Sequence, residues 1–314
     1  MNVAIHPKIT QIGIWWDKMQ AEVNVYFIRG KKNALIDTGP AQTSQDTITV
    51  ALKELGLKLS DVDLILNTHG HVDHIGKNVP IKAASGAQIS LHIGDIFSLE
   101  DRERCFNQVY APVFRALIGP GSLDKEKAML FDGLGEETPV DRKLKDNDVI
   151  DLGNDIELRV AHLPGHSPGC VGFYWEKEGI LFTGDSISGL GGEKGQLPII
   201  TDFDAYEKSL ERLSGIPCQF LLCSHPYRSF LLPTASIRQG KEMGQFIHDS
   251  KEVTKRIRDA VIKIAHTAKG RPLKEITDDV LAQLPREMGF KRVMELGMPI
   301  FSATTVFWCF HRLY

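Results

Sequence analysis

The sequence predicts a mixed α/β (α+β) fold, in which layered sheets and helices are followed by a C-terminal helical extension. Short apolar runs alternate with turns and helical segments up to about residue 232. Beyond that point the pattern becomes helical and strongly charged. The 314 residues, 42% hydrophobic and 25% charged, can bury a substantial core. We therefore expect a main domain over residues 1–235 and a mainly helical extension over residues 236–314.

The first half of the main domain shows strand and helix signals in alternation. Residues 23–30 and 33–39 predict two strands joined by a glycine-containing turn. A helix is predicted over residues 44–56, because Ile48, Ala51 and Leu52 recur at helical spacing and a glycine ends the pattern. Further strands are predicted over residues 62–69, 87–92, 156–165, 170–185 and 219–225.

Residues 97–139 form an insertion that interrupts this alternation. Seven apolar or aromatic residues recur there at helical spacing, namely Phe106, Val109, Tyr110, Val113, Phe114, Leu117 and Ile118. The stretch "GPGS" at 119–122 should end this amphipathic helix. A surface helix with its apolar face packed on the domain is the first interpretation. A lid or pocket wall is the alternative, with Phe106, Tyr110 and Phe114 as candidate substrate contacts.

The C-terminal extension is predicted to contain a helical segment over residues 235–270 and another helix over residues 272–284. Eight basic residues and only two acids occur between residues 251 and 274. A solvated charged helix is the common outcome of such a pattern, and a docking face for an anionic substrate arm is the alternative. The aromatic tail at 301–314 should pack against the body.

Composition excludes several classes of protein. The net charge of −3 gives no general reason to expect nucleic acid or an anionic membrane as a partner. We expect neither a signal peptide nor a membrane span, since the required apolar segments are missing from the sequence. Five scattered cysteines without C-x-x-C spacing argue against disulfides and thiolate zinc, and favour the cytoplasm.

Ionisable residues recur where apolar strands end. The strand-end positions are Asp37, the segment 67–76, His166, Asp185 and His225. Strand-end loops are the places where a rigid sheet presents functional groups. These positions could therefore converge on one edge of a layered structure.

The segment "NTHGHVDHIG" at 67–76 concentrates side chains that bind metals. His69 and His71 point the same way on an extended backbone, whereas the adjacent Asp73 and His74 would diverge in a strand. If a helix begins near Ile75, the chain turns and this second pair faces a different point. One segment can thus serve two metals. With the distant residues at 166, 185 and 225, the inventory is five histidines and two aspartates, a set suited to zinc. The other histidines are predicted to be structural or on the surface: His6, His92, His162, His248, His266 and His311.

The motif "HGHVDH" resembles the H-x-H-x-D-H signature of the metallo-β-lactamase superfamily, and the distant residues follow in the order of that family. The resemblance covers about three quarters of the chain and implies a four-layer αββα sandwich with two metals at one edge of the sheets. It implies seven ligands: His69, His71 and His166 on the first metal, Asp73, His74 and His225 on the second, and Asp185 between them. It also implies that Asp37 orders the site through hydrogen bonds.

Within the superfamily the chain is most similar to the hydroxyacylglutathione hydrolase (glyoxalase II) branch, through "GHSPG", "LFTGDSI" and "TDFDAYEKSLERL". The resemblance implies an esterase or thioesterase (EC 3.1) that uses hydroxide bound by two metals, with Asp73 and Asp185 as catalytic residues. Acyl-glutathione and acyl-CoA thioesters are the first substrate class. Two departures bear on the pocket, namely the long insertion and the motif "CSHPYRSF", in which Tyr227 is a candidate substrate contact.

Several other functions are compatible with the same set of residues. A lactone or carboxylic-ester hydrolase is the first alternative, and an RNA or phosphodiester hydrolase is the second, disfavoured by the net charge. A β-lactamase would be exported. A flavin-linked di-iron reductase would have a glutamate in place of His71. A purely structural role for the metals is the last alternative. Zinc is expected, with iron or manganese compatible. Membranes and nucleic acid are not expected as partners, and a homodimer is left open.

Overall fold

The computed structural model of the chain describes residues 2–43, 46–292 and 300–313. Its first sheet has seven strands in sequence order. They are β1 (Asn2–His6), β2 (Ile9–Trp16), β3 (Ala21–Ile28), β4 (Ala34–Ile36), β5 (Leu64–Leu66), β6 (Gln88–His92) and β7 (Arg142–Leu144). Strands β1 to β4 pair antiparallel, whereas β4 to β7 pair parallel.

The second sheet has six strands in the order β13-β12-β11-β10-β9-β8. They are β8 (Val149–Gly153), β9 (Ile156–His162), β10 (Val171–Trp175), β11 (Ile180–Gly184), β12 (Phe220–Tyr227) and β13 (Ala235–Gln239). Only β11 and β12 pair parallel, and the helix between them makes the crossover.

The α-helices of the described chain lie outside the two sheets. Those before β7 are α1 (Thr47–Glu54), α2 (Val72–Ile75), α3 (Asn78–Ser85), α4 (Phe97–Glu100), α5 (Arg102–Cys105), α6 (Ala111–Ile118) and α7 (Asp124–Leu134). Those after β11 are α8 (Phe203–Gly215), α9 (Lys241–Ala265), α10 (Leu273–Gln283) and α11 (Ile300–Leu313). Short 3-10 turns occur at Leu59–Asp61, Glu176–Glu178 and Arg286–Met288. None of the helices in the described part of the chain is long and apolar enough to cross a bilayer.

Three apolar clusters define four layers. Because side chains alternate along a strand, Val25 and Phe27 of β3 face the helices α1 to α7, whereas Tyr26 and Ile28 face the second sheet. The outer face of the second sheet packs on α8, α9, α10 and α11. This order of helices, sheet, sheet and helices confirms the αββα architecture.

The topology brings strand ends together at one edge. Because β4, β5 and β6 are parallel, the segments that follow them leave the first sheet on the same side. Asp37 follows β4 and His69 lies just beyond β5. In the second sheet Asp185 follows β11, and His225 lies in the parallel neighbour β12. The predicted convergence of strand ends is therefore a property of the fold.

The prediction of a helix over residues 235–270 is wrong at its beginning. Ala235–Gln239 is strand β13, which pairs antiparallel with β12 at the edge of the second sheet. Ser236 and Arg238 are buried on alternate positions, and this period of two is typical of a strand. Gly240 then adopts a φ of 56°, and α9 begins after it. The second sheet thus continues beyond residue 235, while the division of the chain at that residue stays a prediction.

The insertion contains more structure than the one predicted helix. The predicted region is divided into α5, a π-helical turn at Phe106–Tyr110 and α6, which ends at Ile118. The additional helices α4 and α7 were not predicted, and the sequence of α7, "DKEKAMLFDGL", contains as many charged as apolar residues. Strands β1, β2, β7 and β8 were also not predicted.

The basic run in the C-terminal extension is partly neutralised. Arg258 lies 2.6 Å from Asp204 and 2.8 Å from Glu207, both on α8. Lys251, Arg256 and Arg271 also pair with acids. The pairs of Lys251 and Arg258 join α9 to α8, and all of these pairs favour the interpretation of an ordinary charged surface over a docking face. In the described part of the aromatic tail, Ala303, Val306 and Cys309 are buried, as predicted.

We expect Tyr26→Phe to lower the free energy of unfolding by about 1–2 kcal/mol. The buried Tyr26 hydroxyl donates to the carbonyl oxygen of Cys223, 2.5 Å away in the other sheet, and the variant leaves that oxygen without its partner. Tyr174→Phe is the control, because its hydroxyl donates to the carbonyl oxygen of Pro217, an exposed residue that water can reach. Urea unfolding of both variants measures the difference. Equal losses would contradict this account.

Candidate metal centre

Seven side chains from the two sheets meet at the shared edge. Their ligand atoms form three groups, in each of which the atoms lie within 4.8 Å of one another. The groups are His69, His71 and His166; His69, His74 and Asp185; and Asp73, His74 and His225. The structure thus brings together all seven residues that the sequence suggested, although their role as ligands stays a prediction.

The first triad, His69, His71 and His166, has three imidazole nitrogens at hydrogen-bonding distance. Nε2 of His166 lies 3.2 Å from Nε2 of His69 and 2.8 Å from Nδ1 of His71. Nε2 of His69 lies 3.1 Å from Nδ1 of His71. Three nitrogens that point at one place are the arrangement expected of a metal ligand set.

The second triad, Asp73, His74 and His225, lies beside the first. Nε2 of His225 is 3.2 Å from Oδ2 of Asp73, and Nε2 of His74 is 3.6 Å from Oδ1 of Asp73. Oδ2 of Asp185 lies 3.5 Å from His166 in the first triad and 3.5 Å from His225 in the second. Asp185 is therefore placed between the triads, where a bridging carboxylate would be.

The outer nitrogens of these imidazoles are fixed by the framework. Nδ1 of His166 lies 2.9 Å from the carbonyl oxygen of Ile199, and Nδ1 of His225 lies 2.7 Å from that of Glu22. A carbonyl oxygen can only accept, so each Nδ1 carries the hydrogen. The lone pair of a neutral ring is then on Nε2, which faces the other ligands.

Asp37 lies outside the triads and orients one histidine of each through hydrogen bonds. Its carboxylate accepts hydrogen bonds from Nδ1 of His74 at 2.8 Å, and from the backbone N–H and the hydroxyl of Thr68 at 2.8 Å each. Because that hydroxyl donates to Asp37, its oxygen can accept from Nδ1 of His69 at 3.1 Å. Asp37 has a φ of 61°, a left-handed conformation that its short polar side chain tolerates.

Burial and charge set the protonation of the ligand groups in the metal-free protein. Burial lowers the pKa of His166 and of His71 to about 4, so both rings are neutral near pH 7. Burial alone would raise the pKa of Asp185, but the neighbouring His225 and His74 hold it well below its ordinary value. Burial would lower the pKa of His225, but Asp185 and Asp73 raise it to about 8. Near pH 7 the metal-free site therefore combines neutral imidazoles at His71 and His166 with a protonated imidazole at His225 and an ionised carboxylate at Asp185.

The arrangement fits a divalent cation. Nε2 of His74 and Oδ1 of Asp185 are buried and have no hydrogen-bond partner, a state that costs free energy in a dry site. The first triad adds inward-facing nitrogen lone pairs about 3 Å apart. A cation would give all these atoms a partner, and nitrogen with carboxylate oxygen suits zinc or a similar metal.

Asp95 is a buried residue of the site that the sequence reasoning missed. Its Oδ2 accepts from the backbone N–H of Gly70 at 3.0 Å and from the hydroxyl of Ser167 at 2.6 Å, while Oδ1 accepts from the N–H of Gly169 at 2.8 Å. The carboxylate thus ties the loop of His69 and His71 to the loop of His166. Asp95 follows β6, so the strand-end pattern could have identified it.

A cavity lies beside the first triad. The cavity is small. It is lined by His71 and His166, by an apolar wall of Phe97, Cys105, Val109, Tyr110 and Pro168, and by the polar residues Asp95, Ser98, Ser167 and Thr201. Of the aromatic residues suggested as substrate contacts, Tyr110 lines this cavity, with its ring centre 6.3 Å from that of His71. The lid or pocket-wall interpretation of the insertion accordingly has a structural basis.

The other suggested substrate contacts do not line this cavity. Phe106 and Phe114 pack in the apolar core between the first sheet and its helices, because their positions on the helical segment face inward. Tyr227 is buried, with its ring centre 5.8 Å from that of His225. His92 and His162 stack on each other at 4.1 Å, and neither belongs to a metal-sized group in the described chain.

Comparison with known proteins agrees with this geometry. The family model of the metallo-beta-lactamase superfamily matches residues 20–225, which contain all seven converging side chains. The chain belongs to this superfamily. The motif "HGHVDH" lies within the matched residues, so the superfamily suggested by the sequence is confirmed.

The curated relatives are distant. A hydroxyacylglutathione hydrolase of Methylococcus capsulatus is 30% identical over 178 residues, which cover 56% of this chain and 52% of that protein. A second, from a Chelativorans species, is 30% identical over 195 residues, or 62% and 57% of the two chains. A probable metallo-hydrolase of Methanocaldococcus jannaschii is 28% identical over 178 residues, or 56% and 72%. The chain thus spans about half to three fifths of the hydroxyacylglutathione hydrolases it matches.

Solved structures share the fold. A metallo-beta-lactamase family protein from Thermus thermophilus superposes with a TM-score of 0.68 at 21% identity, covering 99% of this chain and 94% of that one. A subclass B3 metallo-beta-lactamase of Bradyrhizobium japonicum gives a TM-score of 0.59 at 24% identity, covering 85% and 96%. These likenesses confirm the αββα sandwich and, for the Thermus protein, extend over nearly the whole chain.

We expect zinc-loaded protein to hold two equivalents of metal and His225→Ala to hold about one. The variant removes a ligand of the second triad and leaves the first intact. Elemental analysis after desalting measures the stoichiometry. His248→Ala, at an exposed histidine on α9, is the control and should hold two. Loss of both metals in His225→Ala, or of neither, would contradict the two-triad arrangement.

We expect Asp95→Asn to weaken zinc binding by the first triad about tenfold to a hundredfold. Either orientation of the amide turns its NH2 group toward a backbone N–H, that of Gly70 or that of Gly169. The loops that carry the histidines should then separate. Competition with a chromophoric chelator measures the affinity, with Asp132→Asn at an exposed position as the control. Unchanged zinc affinity in Asp95→Asn would show that the Asp95 carboxylate is not needed to hold the two loops together.

Proposed function

We propose that this chain is a metal-dependent thioester hydrolase whose acyl group is neutral and apolar. The observation that carries the proposal is the cavity that opens directly beside His71 and His166 and has an apolar wall. The names of the curated relatives support thioester chemistry, since hydroxyacylglutathione hydrolases act on thioesters of glutathione. The metals we propose are two zinc ions, on the seven residues described above.

Bound metals of this kind supply an activated water and polarise a carbonyl oxygen. The residues of the chain supply the rest. Asp73 and Asp185 are ionised acceptors, and each would accept a hydrogen bond from the attacking water and so orient it toward the carbonyl carbon. The carbon–sulfur bond then breaks, and the products are a carboxylic acid and a free thiol. Asp37 and Asp95 contribute by holding the histidines in place.

The wall of the cavity supports an uncharged acyl group. Among the described residues that line it there is no lysine or arginine, and the carboxylate of Asp95 has all its partners within the protein. A charged acyl group would lose its hydration there without a counter-charge. Phe97, Val109 and Tyr110 would instead contact an apolar chain. A phosphodiester substrate, which needs cationic partners, is less well matched to this wall.

No single thiol carrier is proposed for the substrate. The partial neutralisation of the basic run removes the main reason to expect an anionic carrier on the helical extension. The same wall would also accept the acyl portion of a lactone or carboxylic ester, which is the alternative function. These possibilities differ in the leaving group and not in the site.

A substrate panel tests the function. We expect zinc-loaded protein to hydrolyse apolar acyl thioesters, such as those of glutathione, coenzyme A and N-acetylcysteamine, faster than lactones, aryl esters or bis(p-nitrophenyl) phosphate. Asp185→Asn should lose at least about a hundredfold in kcat while remaining folded, because it removes the carboxylate between the triads. Faster turnover of lactones than of every thioester would replace the proposal by the alternative.

The acyl wall gives a second prediction. Val109→Trp should lower kcat/KM for long acyl chains by about tenfold or more relative to acetyl, because the indole would fill the cavity. Gln108→Trp is the control, since Gln108 is exposed on the same helical turn. The ratio of long-chain to acetyl turnover is the measurement. An unchanged ratio in Val109→Trp would place the acyl group elsewhere.

A further inference from the structure

The C-terminal helix α11 contacts the segment that orients one of the candidate metal ligands. Nδ1 of His166 lies 2.9 Å from the carbonyl oxygen of Ile199. Residues 195–200 have no regular secondary structure, so no sheet or helix ladder fixes the direction of that carbonyl. The peptide groups next to the Ile199 carbonyl must therefore form hydrogen bonds with groups elsewhere in the protein.

Two hydroxyl groups of α11 hold those peptide groups. The backbone N–H of Ile200 donates to Oγ1 of Thr305 at 3.0 Å, and the same hydroxyl donates to the carbonyl oxygen of Pro198 at 2.7 Å. The N–H of Leu197 donates to Oγ of Ser302 at 3.0 Å. Thr305 and Ser302 are fully buried, so water cannot take their place. The peptide groups on both sides of Ile199 are thus bound to α11.

The other side of the segment is bound to the loop of His166. The backbone N–H groups of Thr201 and Asp202 donate to the carbonyl oxygen of Gly165 at 2.7 and 3.0 Å. The Thr201 hydroxyl also lies 3.2 Å from the carbonyl oxygen of His166 itself. Residues 197–202 therefore lie between α11 and the loop that carries His166. A displacement of α11 would be transmitted through them to that loop.

We infer that Thr305, assisted by Ser302, is a positioning residue for the metal centre: through the carbonyl group of Ile199 it orients the imidazole of His166 in the first triad. The inference rests on the metal centre of the proposed function and not on the substrate. It gives the C-terminal extension, which lies beyond the matched residues 20–225, a role in metal binding.

The chain offers a closely matched pair of variants. Thr305→Val keeps the shape of the side chain but leaves the N–H of Ile200 without its acceptor. Thr304→Val is the control, because the Thr304 hydroxyl bonds only to the carbonyl oxygen of Ile300 in its own helix. Thr305→Ser keeps the hydroxyl and should restore wild-type behaviour. A loss of helix stability alone would affect the two valine variants alike.

The probe is Co2+ alone, added to metal-free protein that also carries His225→Ala, so that only the first triad is intact. We expect Thr305→Val to lower the affinity for Co2+ about tenfold and to change the visible absorption spectrum of the bound ion. Thr304→Val and Thr305→Ser should match the parent in both respects. Equal affinity and spectrum in Thr305→Val, or an equal loss in Thr304→Val, would overturn the inference.

Two further outcomes are decided by the same experiment. If Thr305→Val does not fold, Ser302→Ala provides the test, because it removes only the acceptor for Leu197; it should weaken Co2+ binding, and unchanged binding would overturn the inference. If the parent protein binds no Co2+, the metal centre fails and this inference fails with it. If the wild-type protein binds Co2+ but hydrolyses no thioester, only the proposed substrate is contradicted. The comparison of the valine variants would still decide the inference.

Discussion

The candidate metal centre depends on one constraint: four of its five inward-facing imidazole nitrogens point at the site because the framework holds the other nitrogen of the ring. Backbone carbonyls hold His166 and His225, Asp37 holds His74, and Thr68 connects Asp37 to His69. Without a cation, the buried lone pairs face one another at about 3 Å. The framework therefore keeps in place an arrangement that is favourable only when a metal is bound.

The αββα sandwich supplies this framework from several separate parts of the chain. Parallel strands in the first sheet deliver Asp37 and the histidine segment to one edge, and the parallel pair β11 and β12 delivers Asp185 and His225. The loops between them are then joined by Asp95 on one side and by the segment that α11 holds on the other. Elements outside the two sheets thus determine how accurately the first triad is formed.

The sequence predicted the site better than its surroundings, for a physical reason. Metals bind to few residue types, and seven histidines and aspartates at strand ends leave a strong signal. The residues that position them do not, because Asp95 binds backbone N–H groups 25 and 74 residues away and Thr305 binds a peptide 105 residues away. Any residue type can offer a backbone group. Strand β13 was also not predicted, because its buried residues, Ser236 and Arg238, lack the apolar alternation of an ordinary strand.

The most direct test of the metal centre is X-ray absorption at the zinc edge of zinc-loaded protein. We expect a first shell of nitrogen and oxygen alone at about 2.0–2.2 Å, with the multiple scattering of imidazole rings. We also expect His166→Ala to reduce the imidazole contribution. A sulfur shell at about 2.3 Å, or a first shell without imidazole, would contradict the ligand set on which the whole account is built.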